Sequence, residues 1–295
     1  MFSRKPLIVT HNAHFHPDDV CAVAVLHILL SGKYRLVRTR DESTIARADY
    51  VLDVGGVYDV AKKRFDHHQK GGAGFHEGGT PYATFGLVWR EYGEKLCGSR
   101  AIADEIEKKL VASIDAMDNG VEIAKPLYKH APPYYFGDFL FDVNPGWGEK
   151  PDYDGCFRKA LDFAIDVISR EIERSQANAV GRAFVEEAYQ KAEDKRIITI
   201  LGDYPWRTVL MNHPEPLLIV KPRANGGWDA KAVPTAPQSF ENRMQFPESW
   251  AGLSDEALVK VSGVPDAVFC HNGRFMVIAR SREGALALAK KALES

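Results

Sequence analysis

Three short apolar runs constrain this chain more than anything else in it. "PLIVT" (6–10), "YRLVRT" (34–39) and "YVLDVGG" (50–56) are rich in β-branched residues and stop at polar residues or glycine. Each reads as a buried strand. Between the first two lies "VCAVAVLHILLSG", apolar nearly all round. Pro17 fits its first turn, Asp18 and Asp19 suit its positive end, and Ser31-Gly32 closes it, so it reads as a helix. "DESTIARA" is a shorter helix before the third run. A β-α-β-α-β order with strands this apolar calls for a parallel sheet covered by helices. In such a sheet, ligands bind beyond the carboxyl ends of the strands. The residues just after each run are therefore the ones to examine.

The rest of the chain divides by pattern. Thr80 is expected to cap a helix that starts at Pro81, and Ser99 to start another through "DAMDNG". Residues 154–194 are charged, periodic and free of proline, which gives one long helix or two. Beyond them "RIITIL", "TVLMN", "LLIVKP" and "DAKAVP" read as short strands, and "SDEALVKVSG" as a helix. "AVFCHNGRFMVIAR" reads as a hairpin turning on Asn272-Gly273 in a type I′ turn. The expected organisation is an N-terminal catalytic domain (1–150), a helical connector (151–194) and a smaller C-terminal α/β domain (195–295) across a cleft. A length of 295 residues fits two domains.

A net charge of −2 leaves no general attraction for nucleic acid, so any such contact must be local. Cys21, Cys97, Cys156 and Cys270 are far apart and form no C-x-x-C pair, so a zinc knuckle is not expected and the thiols read as reduced. No segment is apolar enough to span a membrane, and the N-terminus has no leader pattern, so the expectation is a cytoplasmic protein.

Histidines crowd the first 76 residues: His11, His14, His16, His27, His67, His68 and His76. His11, His14 and His16 follow the first strand, beside Asp18 and Asp19. Asp53 closes the third strand. "DHHQKG" follows "KKRF", and Asp115 and Asp118 follow in "SIDAMDNG". Each has an ordinary role to fall back on. Asp53 before Gly-Gly can be a turn former, Asp18 and Asp19 helix-end charges, Asp118 a helix stop, and His27 a core histidine. Those roles do not explain why imidazoles and carboxylates gather at one edge of one sheet. A mixed imidazole and carboxylate set suits Mn²⁺, Zn²⁺ or Fe²⁺ better than Mg²⁺.

"THNAHFHPDD", "VLDVGG", "DHHQKG" and "DAMDNG", in that order, resemble the DHH phosphoesterase superfamily, and within it the Myg family of DHH-like metal-dependent hydrolases. The likeness runs the whole chain, through "SFENRMQFPESWAGLSDEAL" and "VSGVPDAVFCHNGRF". It implies two α/β domains around a catalytic cleft. It also implies two divalent metals, with Mn²⁺ first and Mg²⁺, Fe²⁺ or Zn²⁺ as alternatives, and 3′→5′ exonuclease action on RNA or short oligonucleotides. The alternatives are a hydrolase of pyrophosphate or dinucleotides and, last, a non-catalytic metal or nucleotide-binding module. Matched motif by motif, the implied ligands are His11, His16, Asp18, Asp53 and His67, with Asp115 or Asp118 as the last acid. His16 stands where the superfamily has an aspartate and the spacing is one residue longer, so His14 and Asp19 are substitutes. His68 is expected to meet the phosphoryl oxygens and Asp66 to hydrogen-bond a histidine. The superfamily's glycine-rich phosphate clamp is absent. His271 and Arg274 in "FCHNGR", or Asn225-Gly226-Gly227-Trp228, are the candidates to replace it, with Arg243 as a further anion-binding residue and Trp228, Phe240 and Trp250 to stack on bases.

Overall fold

The computed structural model describes residues 4–236 and 239–295. The chain forms two compact units, 1–176 and 177–295, each with its own five-stranded sheet.

In the first unit, β1 (Leu7–Thr10) leads through α1 (Pro17–Leu29) to β2 (Arg35–Arg38). Next come α2 (Glu42–Arg47), β3 (Tyr50–Leu52), β4 (Tyr58–Asp59) and β5 (Arg64–Phe65). The sheet order is β2-β1-β3-β5-β4. β1 pairs in parallel with β2 and β3, and β3 with β5; only the edge strand β4 is antiparallel. The parallel reading of the apolar runs is therefore correct. α1 is buried from Pro17 to Leu26, because it sits deep among its neighbours rather than on the surface.

α3 (Thr84–Cys97) starts later than Thr80-Pro81 implied. Residues 74–82 form a small antiparallel loop instead. His76 N–H donates to Thr80 O, Tyr82 N–H donates to Gly74 O, and Phe75 bridges Pro81. Pro81 is thus extended, and the cap of α3 is at Ala83, with no side-chain cap. After α4 (Arg100–Ile106) the helix widens into a π turn at Glu107–Val111 and continues as α5 (Ala112–Asp118). α6 (Phe136–Phe141), which the sequence pattern did not signal, precedes α7 (Tyr153–Lys191). α7 is one uninterrupted helix of 39 residues.

The second unit contains β6 (Ile197–Thr199), α8 (Arg207–Leu210), β7 (Leu218–Pro222), β8 (Trp228–Ala232), α9 (Asp255–Ser262), β9 (Ala267–Cys270), β10 (Met276–Ala279) and α10 (Arg282–Glu294). Its sheet order is β6-β7-β8-β10-β9, antiparallel except for β6 with β7. Two expectations fail here. "TVLMN" is the short helix α8, because burying Val209 and Leu210 against Ile198, Ile219 and Trp206 outweighs β propensity. The β9–β10 turn is not type I′. Neither Asn272 nor Gly273 has a positive φ; Arg274 does, at φ 53, and its N–H donates to His271 O. That is a type I turn closed by a left-handed residue. Among the described residues, no helix is long and apolar enough to cross a membrane.

Candidate metal centre

Four separate segments of the first unit supply the site. The loop between β1 and α1 carries His11 and His16, and α1 itself opens with Asp18 and Asp19. Asp53 follows β3 directly, in the left-handed region at φ 52. That conformation is costly for a residue with a Cβ, so it marks a turn held by its surroundings. Asp66, His67 and His68 follow β5, and Asp118 is the last residue of α5.

Three overlapping sets of potential ligands result: His11, His16 and Asp53; Asp53, His67 and His68; and His16, Asp18 and Asp118. Asp53 belongs to two of them, with one oxygen toward each side. His11 Nε2 is 3.2 Å from Asp53 Oδ2, and His67 Nε2 is 3.4 Å from Asp53 Oδ1. His67 Nε2 also lies 3.1 Å from Asp118 Oδ2 and 4.0 Å from Asp18 Oδ2, and His16 Nδ1 lies 3.6 Å from Asp118 Oδ1.

The adjacent histidines do not point apart as they would on a strand. Both face Asp53 Oδ1, each at 3.4 Å, because the chain has left β5 and turns there. Their surroundings differ. The His67 side chain is 8% exposed and that of His68 57%. His68 Nδ1 is 2.8 Å from Asp66 Oδ1, which also accepts the His68 backbone N–H. Asp66 Oδ2 accepts the Gly56 N–H at 2.6 Å, so this carboxylate is fully engaged behind the ring.

Electrostatics set this cluster apart from an ordinary buried polar group. Burial pushes Asp18 far above the carboxylate range, with the charges of Asp53, Asp118, Asp19 and Asp115 adding to it. Burial likewise raises Asp19 to about 7, against the opposing pull of His11. Burial works against protonation of His67, yet the adjacent carboxylates of Asp118 and Asp53 win and raise it to about 10. Burial also opposes protonation of His11, which Asp53 and Asp19 nevertheless raise. Asp53 is lowered despite its burial, by the imidazoles of His11 and His67 beside it. Carboxylates are thus packed close together, and the imidazoles between them offset part of their charge.

Among the described residues, three buried atoms of this cluster make no hydrogen bond: His11 Nε2, Asp18 Oδ1 and His67 Nε2, the two imidazole nitrogens facing carboxylate oxygens without hydrogen-bond geometry. Buried polar atoms are rarely left so, and three in one cluster point to divalent cations as the missing partners. His11 fits that role, since its other nitrogen, Nδ1, is 3.2 Å from Asn12 O, the usual tether of a metal-ligating imidazole. The residues present therefore fit a divalent metal.

Not every predicted residue joins the cluster. Asp115 is fully buried but turned away; it accepts the Gly86 N–H at 3.0 Å and meets His76 Nε2 at 2.8 Å. Asp118 is the acid that reaches the ligands. His14 lies outside, with Tyr153 Oη 3.2 Å from its Nε2. Asp19 sits behind His11 at 3.5 Å, held by Thr10 Oγ1 and the His16 N–H. Arg243, His271 and Arg274 belong to the second unit. The Arg243 guanidinium donates to the carbonyls of His213, Pro216 and Met211. His271 Nδ1 accepts the Gly273 N–H, and Arg274 donates to Gln245 Oε1. Sequence reasoning missed Thr84 and His76. The available signal was Gly86, a glycine inside an otherwise helical pattern, which marks close approach.

The sequence profile of the MYG1 exonuclease family, described as Uncharacterised protein family (UPF0160), matches residues 7–293. The chain belongs to the MYG1 exonuclease family. The human MYG1 exonuclease is 33% identical over 98% of this chain and 86% of its own length. A MYG1 protein of Chlamydia pneumoniae is 34% identical over 94% of this chain and 92% of its own. An exopolyphosphatase-related protein from Bacteroides fragilis aligns over 98% of the chain and 92% of its own, at 12% identity and a TM-score of 0.23, too distant to support an argument. In the MYG1 family the relatives therefore extend over both units and all four ligand-bearing segments.

Proposed function

We propose that this chain is a metal-dependent phosphodiesterase that removes nucleotides from the 3′ end of RNA or short oligonucleotides with two divalent ions, Mn²⁺ first among them. The observation that carries this reading is Asp53. It is one carboxylate shared by two ligand sets, surrounded by three buried atoms that lack partners. The MYG1 exonuclease name of the human relative supports the reaction class.

His11, His16 and Asp53 would hold one ion, and Asp53, His67 and Asp118 the other, with Asp18 between the sets. Ions bound there supply positive charge that polarises a phosphoryl oxygen and acidifies an attacking water. The chain's own contribution is orientation. Asp53 presents one oxygen to each side. Asp66 fixes His68, whose Nδ1 is engaged and whose Nε2 is left to meet the substrate. With Nδ1–H held by Asp66, Nε2 would donate to a phosphoryl oxygen when the ring carries its second proton, where charge develops.

The test uses a 5′-labelled RNA decamer and, separately, pyrophosphate, each with the purified protein and Mn²⁺. A ladder of progressively shorter labelled products, abolished by EDTA, is expected. Release of the label as a mononucleotide in the first turnovers reverses the direction. Turnover of pyrophosphate alone shifts the reading to a small-phosphate hydrolase, and full activity after chelation and dialysis removes the metal.

A further inference from the structure

The first turn of α3 is tied to the metal centre and to a buried ion pair behind it. Thr84 is fully buried and uses both of its donors on the centre. Its N–H donates to Asp18 Oδ2 at 3.1 Å, and its hydroxyl donates to Asp53 Oδ1 at 3.1 Å. One residue thus occupies an oxygen of each of two carboxylates. The remaining Asp18 oxygen, Oδ1, is the one left buried without a partner.

Two residues on, Gly86 N–H donates to Asp115 Oδ1 at 3.0 Å. Asp115 Oδ2 meets His76 Nε2 at 2.8 Å, and His76 Nδ1 meets Glu107 Oε1 at 2.8 Å. Glu107 opens the π turn. Position 86 is glycine for a steric reason: a Cβ there would lie 1.9 Å from Asp115 Oδ2 and 2.6 Å from Tyr82 Cδ1. The carboxylate can approach the helix only because that atom is missing. None of His76, Glu107 and Asp115 joins a ligand set, so the ion pair faces the helix turn rather than the metals.

We infer that Thr84 is the positioning residue of the metal centre, aiming Asp18 and Asp53 at the ions, and that Asp115 with His76 braces the helix turn that presents it. This rests on the metal-centre reading above. Groups that only orient a ligand shift metal affinity by roughly 10- to 100-fold when removed. Asp53 makes the need concrete, since a left-handed backbone at φ 52 persists only where its surroundings hold it, and the Thr84 hydroxyl is one of the groups that do.

The experiment is Mn²⁺ titration calorimetry on the full chain, with circular dichroism to confirm folding. Thr84→Val should lower Mn²⁺ affinity by about tenfold or more with stoichiometry kept, and Thr84→Ser should return it to within about threefold of wild type. Thr84→Ala, which adds no atoms to the buried position, replaces the valine variant if that chain does not fold. His76→Leu should lower affinity in the same direction while Thr84 is intact. A folded Thr84→Val or Thr84→Ala chain with wild-type affinity overturns the inference, as does a serine variant that recovers nothing. Asp53→Asn is the separate control. If it binds Mn²⁺ like wild type, the metal centre itself is wrong and the inference falls with it. If it loses Mn²⁺ while the Thr84 variants do not, only the inference falls.

Discussion

The two adjacent histidines offer the sharpest test of the centre, because their surroundings differ while their chemistry is the same. His68→Ala removes a ring that is 57% exposed and makes one side-chain hydrogen bond, to Asp66. Losing that bond costs about 1 kcal/mol of stability, so the variant folds. What it removes for the reaction is larger. The ring is already locked through Nδ1–H, so in the doubly protonated ring Nε2–H needs no reorganisation to donate when charge develops. One such donor is worth roughly 2.7–4 kcal/mol, or about 10²- to 10³-fold in kcat. His67→Ala removes a ring 8% exposed that lies 3.1 Å from Asp118 and 3.4 Å from Asp53. Two buried carboxylates then lose their neighbour, and an ion loses a ligand. Affinity for Mn²⁺ should fall about 100-fold or more, at or beyond the upper end of what orienting groups contribute. Excess Mn²⁺ should restore part of the turnover of His67→Ala and none of that of His68→Ala. The assay is calorimetric Mn²⁺ binding beside turnover of the labelled RNA decamer. Equal loss of metal in both variants, or the reverse pattern, refutes the division of labour.

Three further outcomes are expected. Without metal His67 is raised to about 10, so it is protonated at neutral pH, whereas a ligand imidazole must be neutral. Mn²⁺ affinity should therefore rise with pH, about tenfold per unit for one displaced proton, and calorimetry across about pH 6 to 8.5 that shows a flat or falling affinity contradicts this. If the second unit grips a strand, affinity should increase with RNA length over the first few nucleotides and weaken with added salt; a dinucleotide and a decamer turned over alike, with no salt slope, favour a small-phosphate substrate. Arg243→Ala should lower urea-unfolding stability by about 2–4 kcal/mol, since three carbonyls lose their donor, and should leave the salt slope unchanged; a lowered slope would return Arg243 to the substrate.

The sheet that organises the centre was legible because parallel pairing leaves a local trace. Apolar β-branched runs alternate with helices, and the polar residues fall at the ends of those runs. The motif order carried the rest as far as Asp53, His67 and His68. Other features left no such trace. Asp115 and Asp118 are three residues apart on one helix, and only the packing of α5 shows which of them turns inward. Thr84 looks like any helix-start threonine until Asp18 and Asp53 are seen to accept from it. His76 is 31 residues from Glu107 and 39 from Asp115, and nothing in its local sequence names either partner. α8 was misread because its burial against Ile198, Ile219 and Trp206 is a long-range matter that β propensity cannot register.

The ligand-bearing segments begin at His11 and end at Asp118, and α1, α3 and most of a sheet lie between them. No stretch of the unfolded chain can gather three of these groups from separate segments at once. An ion that binds only the assembled site adds stability by mass action, about 2.7 kcal/mol at a hundred times its dissociation constant. The centre is then a long-range staple as well as a chemical one. A chain whose site is filled would then resist unfolding and proteolysis of the first unit better than the same chain without the ion.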